Sequence, residues 1–444
     1  MFKKLFTTVC MLVFIALFFT PVVYSNQLGG GFGDSFEKQM QNNATAKTPM
    51  EHVFKYLRDN LLNNEENAKA LEEKAKTLME HGELVTKFKD FVIVEYTDFV
   101  NRNDYSLYGT VFLPTEAYEN PNGQKYPFVF IAYGTMCINR IYGILFRELA
   151  KNGYIVAAID YQGQGFSSGP APIENGIVDT EVYVDDVLEF QQYLFDKGYP
   201  IDENRMGIFG WSLGTMVAPG VIHKDPRYRA VSQLGVLYDT PAGGATDYWA
   251  KYIDTIDVPL QISMAMASIH DGWIITPWWD QAIELFENYN GEIILMVHDP
   301  GPMAPLTVAG FFNSEKRVYH YINEVIDFYD YFLNGDKEAY ERLIAPDPYC
   351  TIIGKSYKLE NDQRLITEEE WDLINMIRRA AIYINGYPMF SKYIFIPMWK
   401  YLVVPSLSLV DMPVEYAMRL LMPWELIWNF GGEYIEINHE ELAP

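Results

Sequence analysis

Hydrophobic and polar positions follow two periods along this chain, and the change between them divides it. Over 48–81, apolar residues recur at helical spacing among acids and lysines, at Leu57, Leu61, Leu62, Ala68, Leu71 and Ala75. That pattern predicts a helical segment lying on the outside of a larger domain. From Phe88 the period shortens. Residues 91–96 and 106–114 read as two strands of a meander. Residues 126–133 are apolar throughout, as a strand covered on both faces must be. Strand and helix patterns then alternate: helix 141–151, strand 154–160, helix 178–197, strand 205–209 with a helix at once behind it, and strand 230–238. Strand 259–264, helix 277–288, strand 292–298 and helix 314–333 follow. Alternation of this kind predicts an α/β fold, a mostly parallel central sheet with helices on both faces.

The flanks read differently. Lys3 and Lys4, the apolar run 5–19 and Val23-Tyr24-Ser25 have the order of a cleaved secretory signal, 1–25. An uncleaved N-terminal anchor is the alternative, since the run is only slightly short for a span. No other stretch reads as a transmembrane helix. Residues 26–87 are a glycine-rich linker, with a glycosylation sequon at Asn43-Ala44-Thr45, followed by the helical segment. The α/β domain is expected over 88–335 and a mainly helical C-terminal extension over 336–444. In that extension a capping box, Thr367 to Glu370, opens a helix over 367–384. Residues 390–430 are rich in Trp, Met, Tyr and Leu but broken by Pro397, Pro405, Pro413 and Pro423. They form either an appendage covering the main domain or a lid beside a substrate.

Composition narrows the function classes. The chain has 444 residues, 49% hydrophobic, which suffices for one large domain with additions. Its formal net charge of -25 excludes nucleic acid as the expected partner and disfavours anionic membrane surfaces. Of three cysteines, Cys10 lies in the signal, so Cys137 and Cys350 either bridge or stay free. No Cys/His spacing suggests zinc, and no metal or organic cofactor is implied.

The chemistry concentrates in Gly210-Trp211-Ser212-Leu213-Gly214. A short buried strand, Arg205-Met206-Gly207-Ile208-Phe209, precedes it, and Thr215-Met216-Val217-Ala218 opens a helix behind it. Strand, sharp turn with a serine, then helix is the layout of a nucleophile elbow, with glycines where the turn crowds the backbone. Downstream, Asp271 lies on a loop ending in Thr276-Pro277 ahead of a helix. It suits a carboxylate that orients an imidazole, or one that merely caps the helix.

With these motifs the chain resembles the α/β-hydrolase superfamily over about 88–334. The run Asp160-x-x-Gly163-x-Gly165-x-Ser167-x-Gly169 looks like that family's post-strand loop, and residues 323–335 like its last helix. Tyr133-Gly134 and the Asp160 loop are similar to cocaine-esterase-like and X-prolyl-dipeptidyl-peptidase-like members. Those usually have arginine where this chain has Gln162, and their C-terminal jelly roll is not evident here. The resemblance implies a Ser212, Asp271, histidine triad. It implies an oxyanion hole from the Leu213 N–H and a donor after the third strand, either the Thr135 or Met136 N–H or the Tyr133 hydroxyl. Tyr133 reads equally as a core aromatic.

The family places its histidine in the turn after the last strand, and 299–305 contains none. His298, at that strand's end, ranks first. His320 lies within a helix, His439 in the tail, and His270 too close to Asp271. The expected function is an exported serine hydrolase acting on a small-molecule carboxylic ester, less so a thioester or peptide. The alternative is an inactive hydrolase-fold protein that binds a ligand or partner through its aromatic C-terminal region.

Overall fold

Ten strands join into one sheet among the described residues. The structure is a computed structural model and describes residues 77–78, 80–120, 122–134, 139, 143–174, 177–235, 249–265, 278–298, 315–345 and 355–358. The signal segment, the linker, nearly all of the 48–81 helix, Cys137, Cys350 and the aromatic part of the extension lie outside these residues.

The strands are β1 (Glu83–Lys87), β2 (Phe91–Val100), β3 (Ser106–Pro114), β4 (Tyr126–Ala132), β5 (Ile155–Ile159), the short β6 (Ile173–Glu174) and β7 (Ile177–Val178), β8 (Ile201–Trp211), β9 (Tyr228–Leu234), β10 (Leu260–Ala265), β11 (Ile293–His298) and β12 (Lys355–Lys358). The helices are α1 (Thr115–Glu119), α2 (Gly143–Lys151), α3 (Thr180–Asp196), α4 (Gly214–Lys224), α5 (Trp249–Tyr252), α6 (Trp278–Asn288), α7 (Glu315–Asn334) and α8 (Lys337–Ile344). β6 and β7 pair only with each other, and the main sheet runs β1-β2-β3-β5-β4-β8-β9-β10-β11-β12. From β5 to β11 every neighbouring pair is parallel. The β1–β2, β2–β3, β3–β5 and β11–β12 pairs are antiparallel.

The helices cover both faces. On β3, Phe112 meets Phe146 of α2 edge-on at 5.3 Å. Gly109, three positions away and so on the opposite face, receives the Phe190 ring of α3 where a side chain would stand. α2 packs with α7 on the first face, and α3 with α4 on the second. Phe128 to Ala132 of β4 and all of β5 are fully buried, as their unbroken apolar runs require.

The sheet is wider than the sequence pattern suggests. β1 lies upstream of Phe88, and β12 carries the sheet past residue 335. Both are short edge strands with lysines, and charged residues on a sheet edge oppose pairing with another chain. Strand β8 is also longer at both ends than 205–209. Among the described residues no helix is long and apolar enough to cross a membrane.

Replacing Gly109 with alanine should force the Phe190 ring from its seat. We expect destabilisation of about 1–3 kcal/mol in urea unfolding, and partial relief from Phe190→Leu in the double variant. A Gly109→Ala protein as stable as wild type would contradict this packing.

Candidate active site

β8 ends at Trp211 and α4 begins at Gly214, which leaves two residues to reverse the chain. Ser212 takes φ +51, in the left-handed region that L residues with a Cβ avoid. The conformation costs on the order of 1–2 kcal/mol. The cost is met locally: the Ser212 carbonyl accepts both the Thr215 N–H (2.9 Å) and the Thr215 hydroxyl (2.7 Å). The Met216 N–H donates to the Leu213 carbonyl at 2.9 Å and starts the helix. A Cβ on Gly214 would overlap the Ala132 carbonyl oxygen, and one on Gly210 would lie 2.8 Å from the Gly214 oxygen. Glycine at both positions lets α4 close onto the ends of β4 and β8. Trp211 and Leu213 are buried, while Ser212 is half-exposed. The turn therefore presents its serine and hides its neighbours. Leu213 sits at the N-terminus of α4, where main-chain N–H groups point outward and the helix dipole favours negative charge.

Tyr133 follows β4 and is fully buried. Its hydroxyl donates to Asp160 Oδ1 and accepts the Tyr161 N–H, both at 3.2 Å. Its ring stacks on Tyr161 at 4.9 Å, and Tyr161 stacks on Tyr183 of α3 at 4.7 Å. These contacts are those of the core-aromatic reading of Tyr133. Thr135 and Met136 lie outside the described residues.

Gln162, at the position where the resemblance places arginine, belongs to a buried amide–carboxylate network. Asn101 Nδ2 donates to Gln162 Oε1 (3.2 Å) and to Asp186 Oδ1 (2.8 Å). Asn103 Nδ2 also reaches Gln162 Oε1, at 3.0 Å, and the Gln162 N–H donates to Asp186 Oδ2 at 3.0 Å. Burial pushes the Asp186 carboxyl up to about 6; the bonds from Asn101 and Gln162 oppose the shift, as does the Arg102 charge, while Glu189 adds to it. Arg102 itself pairs with Asp185 and lies 3.8 Å from Glu189. Sequence reasoning missed Asp186. The available signal was a carboxylate on the apolar stripe of α3, three residues from Tyr183 and four from Phe190.

Of the remaining candidates, His298 and His320 lie on different elements. His298 is the last residue of β11 and pairs in register with Ala265 of β10. β8 and β11 run parallel within one sheet, so Ser212 and His298 both belong to its carboxyl edge. Three strand spacings, about 14 Å, separate the two strands. His320 lies on α7, half-buried, with Nε2 3.3 Å from Glu324 Oε1. Asp271, His270 and His439 lie outside the described residues. Among those residues no cluster of His, Cys, Asp and Glu could hold a metal ion.

Comparison with known proteins agrees with this architecture. A family model described as serine aminopeptidase, S33, matches residues 125–255, from β4 past the elbow. Human dipeptidyl peptidase 8 is 32% identical over 168 residues, 34% of this chain and 18% of that protein. Probable dipeptidyl-aminopeptidase B of Botryotinia fuckeliana is 34% identical over 113 residues, 24% of this chain and 12% of that protein. The Penicillium rubens protein of the same description is 31% identical over 138 residues, 26% of this chain and 15% of that one. The chain thus spans less than a fifth of the length of these relatives. Sheet, elbow and matches place it in the α/β-hydrolase superfamily, among the serine hydrolases.

Two outcomes are expected. Ser212→Gly relieves the left-handed strain, so it should be about 1 kcal/mol more stable than Ser212→Ala in urea unfolding. Equal stability would mean that the turn is unstrained. Asp186 has a raised folded-state pKa, so its stabilising share is present at low pH and is lost as pH rises from about 4 through about 6. Wild-type stability relative to Asp186→Asn should fall by on the order of 2–3 kcal/mol from pH 4 to 7. A constant difference would contradict the burial of this carboxyl as an acid.

Proposed function

We propose that this protein hydrolyses carboxylic acyl bonds through an acyl-enzyme on Ser212. The observation that carries the reading is Ser212 held at φ +51 between β8 and α4, half-exposed above buried neighbours. In the proposed sequence, Ser212 Oγ attacks the acyl carbonyl and gives its proton to His298, which Asp271 orients. The developing oxyanion is held by the Leu213 N–H with a donor from the Thr135–Met136 stretch. The leaving group takes the proton back from the imidazole, and water then releases the acyl group by the same route. Because β11 stands about 14 Å from β8, His298 serves only with its end of the strand drawn toward Ser212.

Esters are the substrate class expected from the sequence. The relatives described as dipeptidyl peptidases, and the aminopeptidase family model, favour a peptide bond instead. Both substrates pass through the same acyl-enzyme. The amine of a peptide must be protonated to leave, so peptide turnover depends more heavily on the general acid. We further propose export, with 1–25 as the signal, on the basic and apolar pattern there. A second reading, an inactive fold that binds through 390–430, is motivated by the absence of histidine from 299–305.

A fluorophosphonate probe should label the wild type and leave Ser212→Ala unlabelled; an unlabelled wild type supports the binding reading. Turnover of nitrophenyl esters set against dipeptidyl nitroanilides separates the two substrate classes. On the better substrate, His298→Ala should lower kcat by about 10⁴ or more with KM little changed. Asp271→Asn should lose a comparable or smaller factor, and the double variant should be scarcely worse than His298→Ala. His320→Ala should stay within a few-fold of wild type. Loss in His320→Ala with an active His298→Ala would move the base to α7.

A further inference from the structure

Asp160, at the end of β5, is a fully buried carboxylate that the triad does not use. Its Oδ1 accepts the Tyr133 hydroxyl at 3.2 Å and the Asn139 N–H at 2.7 Å. Its Oδ2 accepts the Phe166 N–H at 2.9 Å. The main chain of Asp160 is held as well: its N–H donates to the Tyr108 carbonyl at 2.8 Å, and its carbonyl accepts the Ser167 hydroxyl. A Cβ on Gly165 would overlap Asp160 Oδ2, so the loop after β5 closes tightly around this side chain. The donors come from the exits of two adjacent parallel strands, β4 and β5, at the sheet edge that carries Ser212.

The β4 exit also touches the nucleophile. A Cβ built on Gly134 would stand 3.0 Å from Ser212 Cβ and 2.8 Å from the Trp211 ring. Gly214 in turn abuts the Ala132 carbonyl. A short chain of contacts thus runs from Asp160 through Tyr133 and Gly134 to Ser212. We propose that Asp160 is a positioning residue for catalysis: its carboxylate fixes the β4 exit against Ser212, on the side where an acyl oxygen would gain charge. The proposal rests on the reading of Ser212 as nucleophile.

The chemistry favours a carboxylate over an amide. The Tyr133 hydroxyl and the Asn139 and Phe166 N–H groups bonded to these oxygens are donors, and charge-assisted bonds are roughly twice as strong as neutral ones. Asparagine would set an N–H₂ against at least one donor and leave it unpaired in a buried site. Displacement of the β4 exit by a fraction of an ångström would then be felt where charge develops, because catalysis is steep in such distances.

The test uses the full chain, with Asp160→Asn and Tyr133→Phe beside wild type. Fluorophosphonate labelling and steady-state kinetics on the best nitrophenyl ester are read with the unfolding midpoint. Asp160→Asn should lower kcat about 10- to 100-fold with KM within about threefold, and slow the labelling in parallel. Tyr133→Phe removes one of these donors and should lower kcat about 3- to 10-fold at the same KM; it carries the test if Asp160→Asn does not fold. A structural role alone would shift the midpoint without this split between kcat and KM. Folded variants with kcat and labelling within twofold of wild type, or with a raised KM at unchanged kcat, would overturn the inference while leaving Ser212 in place. A wild type that fails to label would overturn the reading of Ser212 and this inference together.

Discussion

The structure depends on a close approach of three backbones. The end of β4, the end of β8 and the start of α4 meet with no side chain between them, Gly214 against Ala132 and Gly210 against Gly214. That approach forces the two residues between β8 and α4 into a reversal so sharp that Ser212 enters the left-handed region. Strain of this kind persists only where the surroundings over-determine it. Here the surroundings are the buried strands β4, β5 and β8 and two hydrogen bonds from Thr215 to the Ser212 carbonyl. The outcome is a serine set at the edge of a parallel sheet, beside a helix N-terminus.

Two buried carboxylates support this edge in opposite ways. Asp160 receives donors on both oxygens from the exits of β4 and β5 and stabilises their relative position. Asp186 joins α3 to the Asn101 turn and the Gln162 main chain, but its charge is poorly compensated. Arg102, the cation nearest in sequence to that turn, is committed to Asp185. A polar amide, Gln162, stands where the resemblance would place an arginine, so the network trades a full counter-charge for hydrogen bonds. A partly compensated carboxyl costs stability near neutral pH, while its bonds keep the loop after β5 in one arrangement.

Much of this was legible in the sequence. Unbroken apolar runs marked β4 and β5, and the helix-period stretches marked α2, α3, α6 and α7 to within two residues at each end. The spacing of Gly210, Ser212 and Gly214 marked the elbow, because only glycine leaves room for the backbones that meet there. The sheet edges were not legible. β1 and β12 are four or five residues long and carry charged residues, and their place is set by pairing with β2 and β11 rather than by local pattern. Nor were the partners of Asp160 and Asp186, which come from segments distant in sequence and converge only in the folded sheet. The spacing of His298 from Ser212 was not legible either, because the strand order that sets β11 three places from β8 is fixed by the folded sheet and not by local periodicity.

If Ser212 is the nucleophile, it becomes covalently acylated during turnover. Rapid acid quench within the first turnovers, followed by digestion and mass spectrometry of the peptide that contains Ser212, measures this directly. The expected result is a mass increase equal to the acyl group of the substrate, localised to Ser212 and decaying as product appears. Substrate turnover without that adduct, or with the acyl group on another residue, would contradict it.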